Sequence, residues 1–70
     1  MREFVMRPDD GSEDIYVEVT DEEMQRYPGV TPEELAEDTA IVEFEFRFEK
    51  QMGRLPPIVP SFKALAPEDA

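Results

Sequence analysis

Ile41-Val42-Glu43-Phe44-Glu45-Phe46-Arg47-Phe48-Glu49 is the stretch on which the reading of this chain turns. Val42, Phe44, Phe46 and Phe48 alternate with Glu43, Glu45, Arg47 and Glu49, a period of two that sets apolar residues on one face of a strand and charges on the other. The alternation predicts a β-strand over 41–49. Burying its three Phe rings contributes roughly 1.5–3 kcal/mol each, so they form the centre of the expected core. Cover for them must come from a hairpin, from Leu35 or Met24, or from another chain.

Upstream, Arg2-Glu3-Phe4-Val5-Met6-Arg7 and Ile15-Tyr16-Val17-Glu18-Val19-Thr20 are β-prone and flank Pro8-Asp9-Asp10-Gly11-Ser12-Glu13-Asp14. Pro presets φ, Asp bonds its own backbone and Gly accepts positive φ, so a hairpin with a long loop is predicted. Ile15, Val17 and Val19 form the inner face of its second strand, and Phe4 with Met6 the inward pair of its first. Thr20-Asp21-Glu22-Glu23 is a capping box that starts a helix of at most two turns, ended by Pro28 and Gly29. Thr31-Pro32-Glu33-Glu34 repeats the signal with Pro at the first helical position, and Leu35 and Ala36 give this second short helix a small apolar face.

Downstream, Leu55-Pro56-Pro57-Ile58-Val59-Pro60 excludes helix and a sheet interior. The expected fold is therefore α+β: a small antiparallel sheet made of a β-hairpin, one or two short helices and a long third strand, in the order β-β-α-(α)-β. The predicted body spans 1–52 and an extended Pro-rich C-terminal arm spans 53–70.

Seventy residues allow one small domain, and 40% hydrophobic content supports a thin core. Neither Cys nor His occurs, which removes disulfides, thiol and imidazole chemistry and Cys/His metal sites. No apolar run approaches 18 residues and no basic-then-apolar start is present, so a cytoplasmic protein without membrane attachment is expected. The net charge of −11 opposes direct binding to a nucleic-acid backbone. It is unevenly placed: residues 1–45 carry −12, whereas residues 46–67 carry +3.

Most of the 18 acids serve structure in this reading. Asp21, Glu22, Glu23, Glu33 and Glu34 suit first helical turns, and Asp9, Asp10, Glu13 and Asp14 suit a solvated turn rather than a metal loop. Glu37 and Asp38 fall near the expected end of a helix, where negative charge opposes the dipole, and so suggest a binding surface. Glu43 and Glu45, with Glu18 and Glu49, would form an outward ladder of carboxylates that could imitate a phosphate array. Such a mimic would block a nucleic-acid-binding protein. Paired-carboxylate catalysis would need a pocket this sheet hardly makes, Ser12 and Ser61 lack a base, and no cofactor motif is present.

The arm contains Arg54-Leu55-Pro56-Pro57-Ile58-Val59-Pro60, whose Arg-x-x-Pro-x-x-Pro spacing resembles ligands of SH3 domains. Wrapping by Leu55, Ile58, Val59, Phe62 and Leu65 around this body or a twin protomer is the preferred alternative. The expected function is a non-catalytic acidic protein that binds a protein partner, as inhibitor or accessory subunit. Glu37, Asp38, Glu43, Glu45, Arg54, Leu55, Pro57, Ile58, Val59, Pro60 and Phe62 are the expected contacts. A self-assembling structural subunit is the second class, so a homo-oligomer or a hetero-complex is expected.

Overall fold

Strand β1 (Arg2–Pro8) runs antiparallel to β2 (Ile15–Val19), with Arg2 opposite Val19 and Met6 opposite Ile15. This is the hairpin predicted from the turn residues. In its loop the Asp10 carboxylate accepts from the Ser12 amide at 2.9 Å, and Gly11 supplies the required positive φ of 85°. Arg7 closes the strand ends by donating two 3.1 Å hydrogen bonds to the Asp14 carboxylate. The computed structural model describes residues 1–65; the last five positions of the arm lie outside the described residues.

Helix α1 (Asp21–Arg26) opens on the predicted capping box: the Thr20 hydroxyl accepts from the Glu23 amide at 3.1 Å, and the Glu23 carboxylate accepts from the Thr20 amide at 3.2 Å. The chain leaves the helix at Tyr27. At Thr31 the same reciprocal pair forms with Glu34, at 3.1 and 3.0 Å, and launches α2 (Pro32–Met52).

The second helix is 21 residues long and overturns the predicted strand over 41–49. A capped start carries on until something stops it, and no Gly or Pro lies between Pro32 and Gly53. Glu, Ala, Leu, Arg, Lys, Gln and Met outnumber the Asp, Thr, Ile, Val and Phe of that interval, and Arg47 donates to Glu43 at 2.8 Å across one helical turn. Gly53, at φ 77°, ends the helix and bonds the Glu49 carbonyl. The period-two pattern survives in the sequence but not in space. At 100° per residue the row Ala36, Ala40, Phe44 and Phe48 turns toward the hairpin, while Val42 and Phe46 turn away.

The third strand is instead β3 (Phe62–Leu65), drawn from the arm. It pairs antiparallel with β1, Val5 opposite Leu65 and Pro8 opposite Phe62, giving the order β2-β1-β3. The Asp9 amide bonds the Ser61 carbonyl at 3.0 Å and extends the ladder. The fold is thus α+β, with a small three-stranded antiparallel sheet as predicted and its third member in a different place.

The core lies between one face of the sheet and α2. Phe4, Met6, Ile15, Val17 and Val19 bury against Ala36 and Ala40, and Met24, Leu35, Phe44 and Phe62 close its margins. Alanine at both central helix positions lets the backbone of α2 approach the sheet. Phe62 meets Phe44 edge-on at 6.2 Å between ring centroids, which ties β3 to the helix. Of the three Phe expected at the core's centre, Phe44 and Phe48 are half-buried, and Phe46 is 58% exposed.

Candidate functional site

The predicted acidic contacts do not share one surface. Glu37 and Asp38 lie in the second turn of α2, far from its C-terminal end, so the dipole argument for them falls. Glu37 is half-buried and lines a shallow hollow with Glu33, Glu34, Met6 and Phe62. Glu43 is held by Arg47. Glu18 belongs to the sheet and Glu43, Glu45 and Glu49 to the helix, so the outward carboxylate ladder does not form.

What the helix creates in its place is a mixed face turned away from the sheet. Asp38, Glu45 and Met52 recur every seven residues and fall in one row, Val42 and Glu49 in the next, and Phe46 beside them. Val42 is 65% exposed, Phe46 58% and Met52 55%. Lys50 reaches over the Phe46 ring at 6.0 Å from its centroid and leaves the other flank acidic. Apolar groups at helical spacing, set among carboxylates, offer a surface for a chain with apolar and basic side chains. Sequence reasoning placed Val42 and Phe46 inside because it followed the alternation. The signal that places them outside is the capping box with no helix breaker before Gly53.

A groove of about 510 Å³ separates the hairpin loop from the last turns of α2, with Ile15, Phe44 and Phe48 as its floor and Asp10, Glu13, Arg47 and Gln51 at its rim. At its rim, hydrogen bonds from Ser12 lower the Asp10 carboxyl below its ordinary value. Elsewhere on the surface the Arg7 guanidinium lowers Asp14, and the Thr31 amide and hydroxyl lower Glu34. Among the described residues no group of three or more carboxylates is placed to hold a metal ion, and no helix is long and apolar enough to cross a membrane.

The arm divides in two. Arg54, Leu55, Pro57 and Ile58 are exposed, Ile58 by 79%, whereas Val59, Pro60 and Phe62 are half-buried. Phe62 serves the sheet and core of its own chain. Comparison of the chain with protein-family models, with curated proteins and with solved structures finds no match.

Proposed function

We propose that this protein is a small, non-catalytic acidic module that docks a basic protein segment on the outer face of α2. The observation that carries the reading is the pair Val42 and Phe46, one helical turn apart, both more than half exposed, and neighboured by Asp38, Glu45 and Glu49. Single exposed apolar residues are ordinary, but an aligned pair on a helix already packed on its other side is an anchor for a partner. The net charge of −11 attracts a basic chain and speeds its encounter. Leu55 and Ile58, beyond the helix end, are further exposed apolar side chains. A non-catalytic role is supported by the lack of His and Cys and by the direction of the carboxyl shifts, which make Asp10, Asp14 and Glu34 weaker bases rather than acids poised near neutrality.

The test immobilises the full chain and compares what it retains from an extract of its source at low and high salt. The parent should retain a basic protein that elutes as salt rises. Val42→Ser with Phe46→Ser, and separately Asp38→Asn with Glu45→Gln and Glu49→Gln, should each lose it while keeping the parent's circular dichroism. Retention unchanged by both sets would refute the proposal.

A further inference from the structure

A sheet ordered β2-β1-β3 has two edges, the outer sides of β2 and β3. They are built differently. β3 is four residues long, carries Lys63 and begins two residues after Pro60, three features that keep a foreign strand away. β2 contains neither Lys nor Pro, and its inward side chains, Ile15, Val17 and Val19, are all apolar and buried. Alternate residues of β2 turn their N–H and C=O groups to β1, and the residues between turn theirs outward, where no described residue bonds them. The charges beside this edge have one sign. Glu18 stands on the strand, Glu3 opposite it on β1 and Glu13 two residues before the strand, all three exposed and without a cationic partner among the described residues. Asp14 is held by Arg7, and Arg2 turns to the other face, over the Phe4 ring.

We infer that the outer edge of β2 accepts an extended segment of another protein as a fourth strand, and that this segment alternates apolar and basic residues. A row of unpaired main-chain groups specifies an extended chain, because a strand returns donors and acceptors at the same spacing. Alternation follows from the pleat. Every second side chain of the added strand continues the row of Ile15, Val17 and Val19 on the side of α2, and the others lie beside Tyr16 and Glu18. The sign of the charge follows from Glu3, Glu13 and Glu18. Tyr16, 77% exposed, adds a ring face on which a basic side chain can rest.

A second copy of the chain fits this edge poorly. β2 holds no cation to meet Glu18 of a twin, and two chains of net charge −11 repel each other. A basic segment meets attraction from the same charge. Because β2 is only five residues long, the added ladder is short and the complex weak, and its affinity falls as salt screens the carboxylates. The edge of β2 and the outer face of α2 are separate surfaces, so this inference stands without the docking proposed above.

Amide hydrogen exchange of the full chain, followed by nuclear magnetic resonance as a peptide is added, tests this. The probe is a peptide of alternating lysine and valine, about seven residues long and blocked at both ends. Its control is the same peptide methylated at every backbone nitrogen, which keeps the charge and cannot donate to a ladder. The probe should slow exchange at alternate amides within Ile15–Val19, leave β3 unchanged, and bind less tightly as salt rises. The methylated control should bind about tenfold more weakly or worse, and Glu18→Lys should lower the affinity of the probe about tenfold. Circular dichroism checks that this variant folds. The Val42→Ser, Phe46→Ser variant should protect β2 as the parent does. Equal binding of the two peptides, no slowing at β2, an affinity indifferent to Glu18→Lys, or protection that depends on Val42 and Phe46 overturns the inference. So does a dimer whose β2 amides are protected before any peptide is added, which would give the edge to a second copy.

Discussion

Met6 and Phe46 show how differently two large apolar side chains act in a chain this small. Met6, 1% exposed on the central strand, is enclosed by the sheet and helix, and Met6→Ala should cost about 2–5 kcal/mol in urea unfolding. Phe46 stands in solvent, so Phe46→Ala should change stability by no more than about 0.5 kcal/mol, although the strand reading of 41–49 makes it central. The same titration separates the two outcomes. Ala40 has no exposure at all, and Ala40→Leu should overpack the helix against the sheet at a cost of about 1–3 kcal/mol. Inward residues of the hairpin were legible because strand alternation and burial coincide there: Ile15, Val17 and Val19 are buried while Tyr16 and Glu18 are exposed. In 42–48 the identical pattern has another meaning, because the backbone that carries it turns 100° per residue rather than 180°.

At the level of elements, the capping boxes were the most legible signals and the stop signals the most neglected. Thr20 and Thr31 each cap the helix that follows, as their spacing to Glu23 and Glu34 predicts. Thr31→Ala should lower stability by about 1 kcal/mol, read from thermal unfolding by circular dichroism. The length of α2 was missed because propagation from a cap, which needs only the absence of Gly and Pro, was outweighed by an alternation that counts for nothing inside a helix. Glu34 adds a pH dependence to the element. Its carboxyl sits below the ordinary value of 4.5, held there by the Thr31 amide and hydroxyl, so its charged form contributes stability that is complete above that value and lost as pH falls through the lowered one. A Glu34→Gln variant should therefore trail the parent at neutral pH and match it in strong acid. A constant gap across that titration would be inconsistent with the capping carboxylate.

For the whole molecule, the arm contributes Phe62–Leu65 to the sheet. Removing residues 54–70 deletes β3 and the Phe62 ring that closes the core beside Phe44. With a total stability of about 4–10 kcal/mol expected at this size, the truncated chain should be largely unfolded at room temperature, as judged by lost sheet and helix signal. Leu55→Ser and Ile58→Ser examine the exposed part of the arm without that damage. The sequence allowed Phe62 to wrap its own body, but composition could not show that β1 would be the central strand, since pairing between residues 5 and 65 is a property of topology rather than of either segment. The docking surface was legible in its charges and illegible in its geometry for the same reason. That topology also sets how the molecule responds to being pulled. Because β3 returns antiparallel to β1, the chain leaves both strands at the same end of their ladder, where Val5 faces Leu65. A load applied across residues 1 and 65 therefore meets the hydrogen bonds one pair at a time and peels β3 like a zip, where a parallel arrangement would resist in shear. A pull applied at Leu65 would strip this strand first and lay Met6 and Phe44 open before α2 feels any tension.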